Sequence, residues 1–286
     1  MNYNNTNKIR RKKVSSNEIE KRIEINNKRE YSSNIKNKTI QSRKHRIKKK
    51  KKRVKILKYL LTISLVTLML CSTFASFMIL LSLKDSPKIT KNLIEESYIS
   101  SQVVNVDNIP ENLKNALVAI EDERVYEHSG VDIKSLLRSV IHNAFTDTTQ
   151  GGSTIEMQIS KNLLTNNERS IKRKIRDIYN AIQIDKIMSK DEILGVYLNN
   201  VYFGKSSYGV SKASKVYFGE NVENLDLAQC AMLIGITNNP AKYSHYSEAK
   251  KRQETILYKM NELGYITDTE YKNALKEKIT FKSEIE

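Results

Sequence analysis

Apolar and polar positions divide the chain into stretches of different period. Tyr59–Leu83 holds 25 residues without one charge (YLLTISLVTLMLCSTFASFMILLSL). At about 1.5 Å per residue this predicts a helix about 37 Å long, enough for a bilayer core of about 30 Å. It is too long for the apolar region of a signal peptide. Residues 84–106 read as a stalk, with Pro87, scattered charge and a short β-like run at Ser101–Val106. After Pro110 the period becomes helical. Leu113, Ala116, Leu117 and Ile120 share one face, which leads into Glu121-Asp122-Glu123. Ile133, Leu136, Leu137, Val140, Ile141 and Ala144 recur at helical spacing, as a face that packs on the core or lies on a bilayer. Further on, Arg169, Lys172, Arg173 and Arg176 form a basic stripe, with Ile171, Ile175, Ile178 and Ile182 opposite it for the core. Ser153-x-x-Glu156, Ser189-x-x-Glu192 and Thr267-x-x-Glu270 read as capping boxes. Strand signal is slight, so the fold class is mainly α.

Charge changes this picture at one end only. Residues 1–58 carry 22 Lys+Arg and 4 Asp+Glu, while the whole chain is +17, so everything after Lys58 sums to −1. The high isoelectric point belongs to a tail, and nucleic acid is not an expected partner. The tail is poor in aromatics and lacks glycine, a composition expected to stay disordered. Eleven basic residues in Arg43–Lys58 stand before the apolar stretch, and the positive-inside rule places that end in the cytoplasm and the remainder outside. Cys71 lies in the span and Cys230 in an apolar segment, so the exported part is expected to rely on its core and not on a disulfide. The expected division is 1–58 tail, 59–83 transmembrane helix, 84–106 linker, 107–275 domain and 276–286 C-terminal tail.

Three groups carry candidate chemistry. Glu121 closes an apolar helical run, a position suited to a general base, and His128 and Gly130 follow in a shaped loop. Gly151-Gly152-Ser153 precedes a helical segment, where free backbone N–H groups attract anions, with Lys161 about two turns on. The basic stripe repels itself unless an anion faces it, and guanidinium groups suit phosphate oxygens.

These residues resemble motifs of the peptidoglycan glycosyltransferases, glycosyltransferase family 51. Glu121-Asp-Glu-Arg-Val-Tyr-Glu-His128-Ser-Gly130 resembles the first motif and Gly151-Gly-Ser-Thr-Ile-Glu-Met-Gln158-Ile-Ser-Lys161-Asn162 the second. Arg173-Lys174-Ile-Arg176-Asp177 resembles the third, and Glu192-Ile-Leu-Gly-Val-Tyr197-Leu-Asn199-Asn-Val-Tyr202-Phe203-Gly204 the fourth. Tyr217-Phe-Gly, Leu225-x-Leu-Ala-Gln and Pro240-x-x-Tyr243 complete the order. The resemblance implies a lysozyme-like helical domain that polymerises lipid II, with cytoplasmic-membrane anchoring and a catalytic domain outside. It implies Glu121 as the base, with Asp177 as second catalytic carboxylate. Asp122, His128, Ser153, Gln158, Lys161, Arg169, Arg173, Lys174, Arg176 and Asn199 are implied substrate contacts. No cofactor is obligatory; Mg²⁺ or Mn²⁺ at the diphosphate is an option. Partners are lipid II, the growing glycan strand, the membrane, transpeptidases and other cell-wall synthesis proteins.

Departures leave a second reading open. Val125 stands for a usual Phe, Glu156 for Thr, Asp177 for Glu, Gly195 for Glu and Gln229 for Glu. A homologue that binds lipid II or synthesis partners without turnover would fit such thinning, whereas a lysozyme-like hydrolase would need a general acid in place of this cationic lining. Ser247-x-x-Lys250 matches a transpeptidase pattern without a following Lys-Thr-Gly, so cross-linking is expected from other proteins.

Overall fold

The computed structural model describes residues 16–84, 86–148, 151–165 and 170–282. The chain divides into two compact units, Met1–Ala75 and Ser76–Glu286.

The described residues of the first unit form helix α1 (Ser16–Leu83), which continues into the second. Where composition predicts an unstructured arm over 1–58, the described residues from Ser16 onward are helical. Lys, Arg and Glu are good helix formers, and a helix already nucleated extends at one hydrogen bond per residue. Leu61, Leu65 and Phe74 are exposed, and among the described residues this one helix is long and apolar enough to cross a membrane.

The second unit is helical; among its described residues the β structure is one isolated bridge, Tyr202 to Tyr208. Its helices are α2 (Lys91–Glu96), α3 (Glu111–Glu121), α4 (Ile133–Phe145), α5 (Ile155–Ile159), α6 (Ile171–Ile187), α7 (Lys190–Asn200), α8 (Val210–Phe218), α9 (Leu227–Asn238), α10 (Pro240–Tyr243), α11 (Tyr246–Glu262) and α12 (Asp268–Lys276). Helix α9 is apolar all round and buried, with α3 and α11 packed on it, and α5 lies against α6 and α7. A helix buried on all sides needs no amphipathic stripe. Leu113, Ala116 and Leu117 of α3 are buried, as their period predicts.

Two helical faces differ from expectation. On α6 the buried line is Asp177, Asn180, Ala181 and Ile184, while Ile171 is 74% exposed. Polar pairing turns the helix this way. Ser160 Oγ donates to Asp177, and Asn180 Nδ2 donates to Ser160, which holds that side against the π-turn Ser160–Leu164. On α4 the core-facing alternative is not realised: Ile133, Leu137, Val140, Ile141 and Phe145 are exposed, and Ser139 is the buried residue.

Capping boxes form at Ser189/Glu192 and Thr267/Glu270. The expected Ser153/Glu156 box does not form, because Thr154 is the N-cap of α5 and frees Ser153. An unanticipated box joins Asp226 to Gln229, so Gln229 does at α9 what a Glu would do. The β-like run at 101–106 forms no strand; Asn199 and Asn200 clip the backbone at Val104 and Ile99 instead. Phe281, placed by the sequence in a C-terminal tail, is buried against Tyr217, Phe218 and Tyr246.

Candidate active site

Helix α3 ends on Glu121, and Asp122, its C-cap, leaves helical geometry. The chain must then turn back tightly. Gly130 makes this possible at φ +82, with an added Cβ only 2.4 Å from the Ala181 carbonyl of α6. Only glycine adopts that backbone at such close approach without strain. Thr154 then donates to the Gly130 carbonyl, which ties the loop to the start of α5.

Around Glu121 this brings together a cleft of about 680 Å³, lined in part by Glu121, Glu123, Gly151, Gly152, Ser153 and Gln158. Gln158 Nε2 donates to Glu121 Oε2 at 2.8 Å, and Tyr197 OH donates to Gln158 Oε1 at 3.3 Å. The carboxylate is therefore held from behind through an amide. Burial, then the charge of Glu121, pushes the Tyr197 hydroxyl well above its ordinary range.

A cationic point joins the same cleft. Lys174 Nζ donates to Ser153 Oγ at 2.9 Å. Burial lowers its pKa; Asp177 opposes this, while Arg173 and Lys161 reinforce it. Lys161, Arg173 and Lys174 thus share one field, whose potential favours an incoming anion.

Other expected site residues lie elsewhere. Asp177 is 2% exposed and accepts from Ser160 and Thr165. Arg173 faces it at 3.4 Å, in ionic contact without hydrogen-bond geometry. Its shorter arm is used up by these neighbours, and it does not line the cleft. Arg176 donates to the Ser82 carbonyl. Asn199, buried, bonds Val104 and Gly195 through both ends of its amide and is a structural clip instead of a substrate contact. Arg169 lies outside the described residues.

Asp122 lines the cleft, and His128 supports it from behind. His128 Nε2 bonds Asp122, and the Ile155 N–H donates to the same carboxylate. Burial disfavours a charged His128, but the Asp122 hydrogen bond and charge, with Glu156 behind, outweigh it and raise its pKa. Glu156, fully buried, pairs with Lys190 at 2.8 Å, and Lys190 also holds Asp185 and the His128 carbonyl. Asp122, His128 and Glu156 approach within 4.8 Å of one another. Their donors fit a metal poorly, because Lys190 neutralises Glu156 while His128 and a backbone N–H occupy Asp122. Sequence reasoning missed Lys190 and Tyr197; the introduction of a buried Glu156 was the signal for a nearby cation. Gly195 has its own cause, since a Cβ there would stand 3.1 Å from Val106 Cβ.

The protein-family model described as Transglycosylase matches residues 87–261. Penicillin-binding protein 1A of Clostridium botulinum (strain Langeland) is 44% identical over 188 residues, which span 61% of this chain and 23% of that protein. A putative transglycosylase of Cupriavidus necator is 40% identical over 179 residues, covering 61% of this chain and 77% of its own. Penicillin-binding protein 1A from Haemophilus influenzae is a solved structure with a TM-score of 0.38 and 23% identity, covering 63% of this chain and 18% of its own. The chain thus spans about a quarter of the length of the clostridial relative.

Proposed function

The chain belongs to the transglycosylase family, and from that premise we propose that it polymerises lipid II into peptidoglycan glycan strands. One observation carries the reading: Glu121 shares a cleft with Ser153, to which Lys174 is bonded. Gln158 holds one oxygen of Glu121 and leaves the other for the acceptor. Glu121 takes the proton of the acceptor's GlcNAc 4-hydroxyl as that oxygen bonds to the anomeric carbon of the donor MurNAc. The bond from that carbon to the diphosphate breaks on the opposite side, so configuration inverts and lipid diphosphate departs. Negative charge grows on the leaving group, so a cation fixed beside it stabilises the transition state more than the ground state. Lys174 supplies it, with Lys161 and Arg173 contributing at longer range.

The exposed apolar face of α4 and the uncharged stretch of α1 support a place at the bilayer, where the lipid tail of the substrate resides. The basic flank supports a cytoplasmic N-terminus and an outward-facing domain. Such a site would work beside transpeptidases, to which it would hand uncross-linked strands. None of the departures removes Glu121, Gln158 or Ser153 from the cleft or Lys174 from Ser153, so nothing in the geometry favours a binder without turnover.

The test is polymerisation of lipid II by the full chain in detergent. Glu121→Gln should lower the rate by a factor of about 10² to 10⁴, the usual worth of a positioned base, with binding and thermal unfolding unchanged. Wild-type protein that binds lipid II yet makes no glycan would sink the reading.

A further inference from the structure

The cleft has a second wall. Beyond Glu121 and the Gly151–Ser153 turn, its lining includes Arg252, Thr255, Tyr258, Lys259 and Glu262 of α11. These fall at i, i+3, i+6, i+7 and i+10, one face of a helix. Two cations on that face have different surroundings. Lys259 is matched by Glu262 at 2.7 Å and Glu123 at 3.5 Å. Arg252 is half-buried, and its Nε is buried with no hydrogen-bond partner among the described residues. A buried donor without an acceptor is costly, and the guanidinium fork matches the geometry of carboxylate and phosphate oxygens. The position of its stem is also built in. Helix α9 carries Gly235 beneath it, where a Cβ would stand 2.9 Å from Arg252 Cγ.

Resting on the reading above, we propose that Arg252 is a substrate-binding residue that grips an oxyanion of the acceptor while Ser153 and Lys174 hold the departing diphosphate. The reaction joins two anionic molecules; Lys174 stands at Ser153, and of the cations lining the cleft Arg138 and Lys259 face Glu123 while Arg252 has no ion pair among the described residues. Because the donor's charge is met by Lys174, the Arg252 guanidinium, whose Nε lacks a partner among the described residues, is left for the acceptor. The oxyanion belongs either to the acceptor's diphosphate or to a carboxylate of its stem peptide.

Initial polymerisation rates against lipid II concentration, measured on the full chain in detergent, test this. Arg252→Ala should raise KM about ten-fold or more, the loss expected for one charge-assisted contact, with kcat changed much less. Arg252→Lys should recover part of that loss, since it restores the charge without the fork. Gly235→Ala should move KM in the same direction with the charge still present, because the new methyl displaces the stem. Alanine suits a helix interior better than glycine, so this variant also answers the objection that Arg252→Ala merely unfolds. A lipid-linked disaccharide diphosphate without peptide separates the sources. If Arg252→Ala still raises KM with that substrate, the diphosphate is the ligand; if the effect vanishes, a stem carboxylate is. An unchanged KM for both Arg252→Ala and Gly235→Ala, beside an active wild type, overturns the inference alone. An inactive wild type overturns the functional reading beneath it.

Discussion

His128 is pulled two ways, and the balance fixes a pH dependence. Burial and Lys190 oppose its protonation, whereas the bonded Asp122 and the nearby Glu156 favour it, with a net rise above the ordinary 6.5. A group whose folded pKa is raised stabilises the fold fully below its unfolded value and loses that contribution as pH rises through the folded one. Wild-type unfolding free energy should therefore decline as pH climbs past about 6.5, and His128→Gln should remove that part of the slope. Urea titrations across pH 5.5–8.5 check this; parallel curves for the two proteins would refute it. The pair was legible in the sequence as part of a motif, but its job was not. The resemblance implies both Asp122 and His128 as substrate contacts; Asp122 does line the cleft, whereas His128 braces it from behind, a difference that spacing alone does not give. Asn199 misled in the same way, because a buried amide that satisfies backbone groups leaves no trace in the linear chain. Glu121, Gln158, Ser153 and Lys174 are legible in the sequence and lie together. Helix ends and glycine turns have sequence signatures, and those elements carry most of the four.

Helix α4 shows what an element can reveal that its residues singly do not. Asp132 caps it, accepting from the Ser135 N–H and from Arg124. Burial works against that carboxylate, but Arg124 and Ser135 outweigh it and hold its pKa well below the usual range. A capped, strongly amphipathic helix is thus secured at its start while its apolar face stays in solvent, Phe145 being 83% exposed. Soluble domains rarely leave such a row uncovered. The expected outcome of Leu137→Glu/Ile141→Glu is retained folding with vesicle association of the domain reduced about ten-fold or more, since each leucine-sized side chain contributes about 1.5–3 kcal/mol on burial. Flotation with liposomes, with circular dichroism as control, measures it, and unchanged flotation would count against a bilayer role for this face. Periodicity predicted the helix but left its direction open between core and lipid. On α6 the same method chose the wrong side, because Asp177 and Asn180 go inward to meet Ser160, an inversion that hydrophobic patterning cannot register.

At the scale of the whole chain, charge and apolar length are segregated along the sequence. The cations that dominate its +17 lie before the uncharged stretch, and the part that holds the cleft is close to neutral. A positive flank resists transfer across the membrane, while a near-neutral domain offers little counter-bias, so the asymmetry should set orientation. The cluster in Arg43–Lys58 also meets an anionic inner leaflet at roughly 1 kcal/mol per cation near the surface, an attraction screened within a Debye length. Replacing Lys48, Lys49, Lys50, Lys51 and Lys52 by Gln should therefore lower the fraction of molecules with the domain outside without altering the domain's own stability. Replacing the same five by Glu should lower it further. Protease accessibility in intact and permeabilised spheroplasts reports that fraction directly. Orientation that stays uniform through both sets would mean that the remaining six basic residues, or the folding domain itself, decide topology. Polymerisation by detergent-solubilised Gln protein should meanwhile match wild type, because the substituted residues lie in the unit that does not contain Glu121. An equal loss in detergent and in membranes would instead link the tail to catalysis and contradict its assignment as a topological signal.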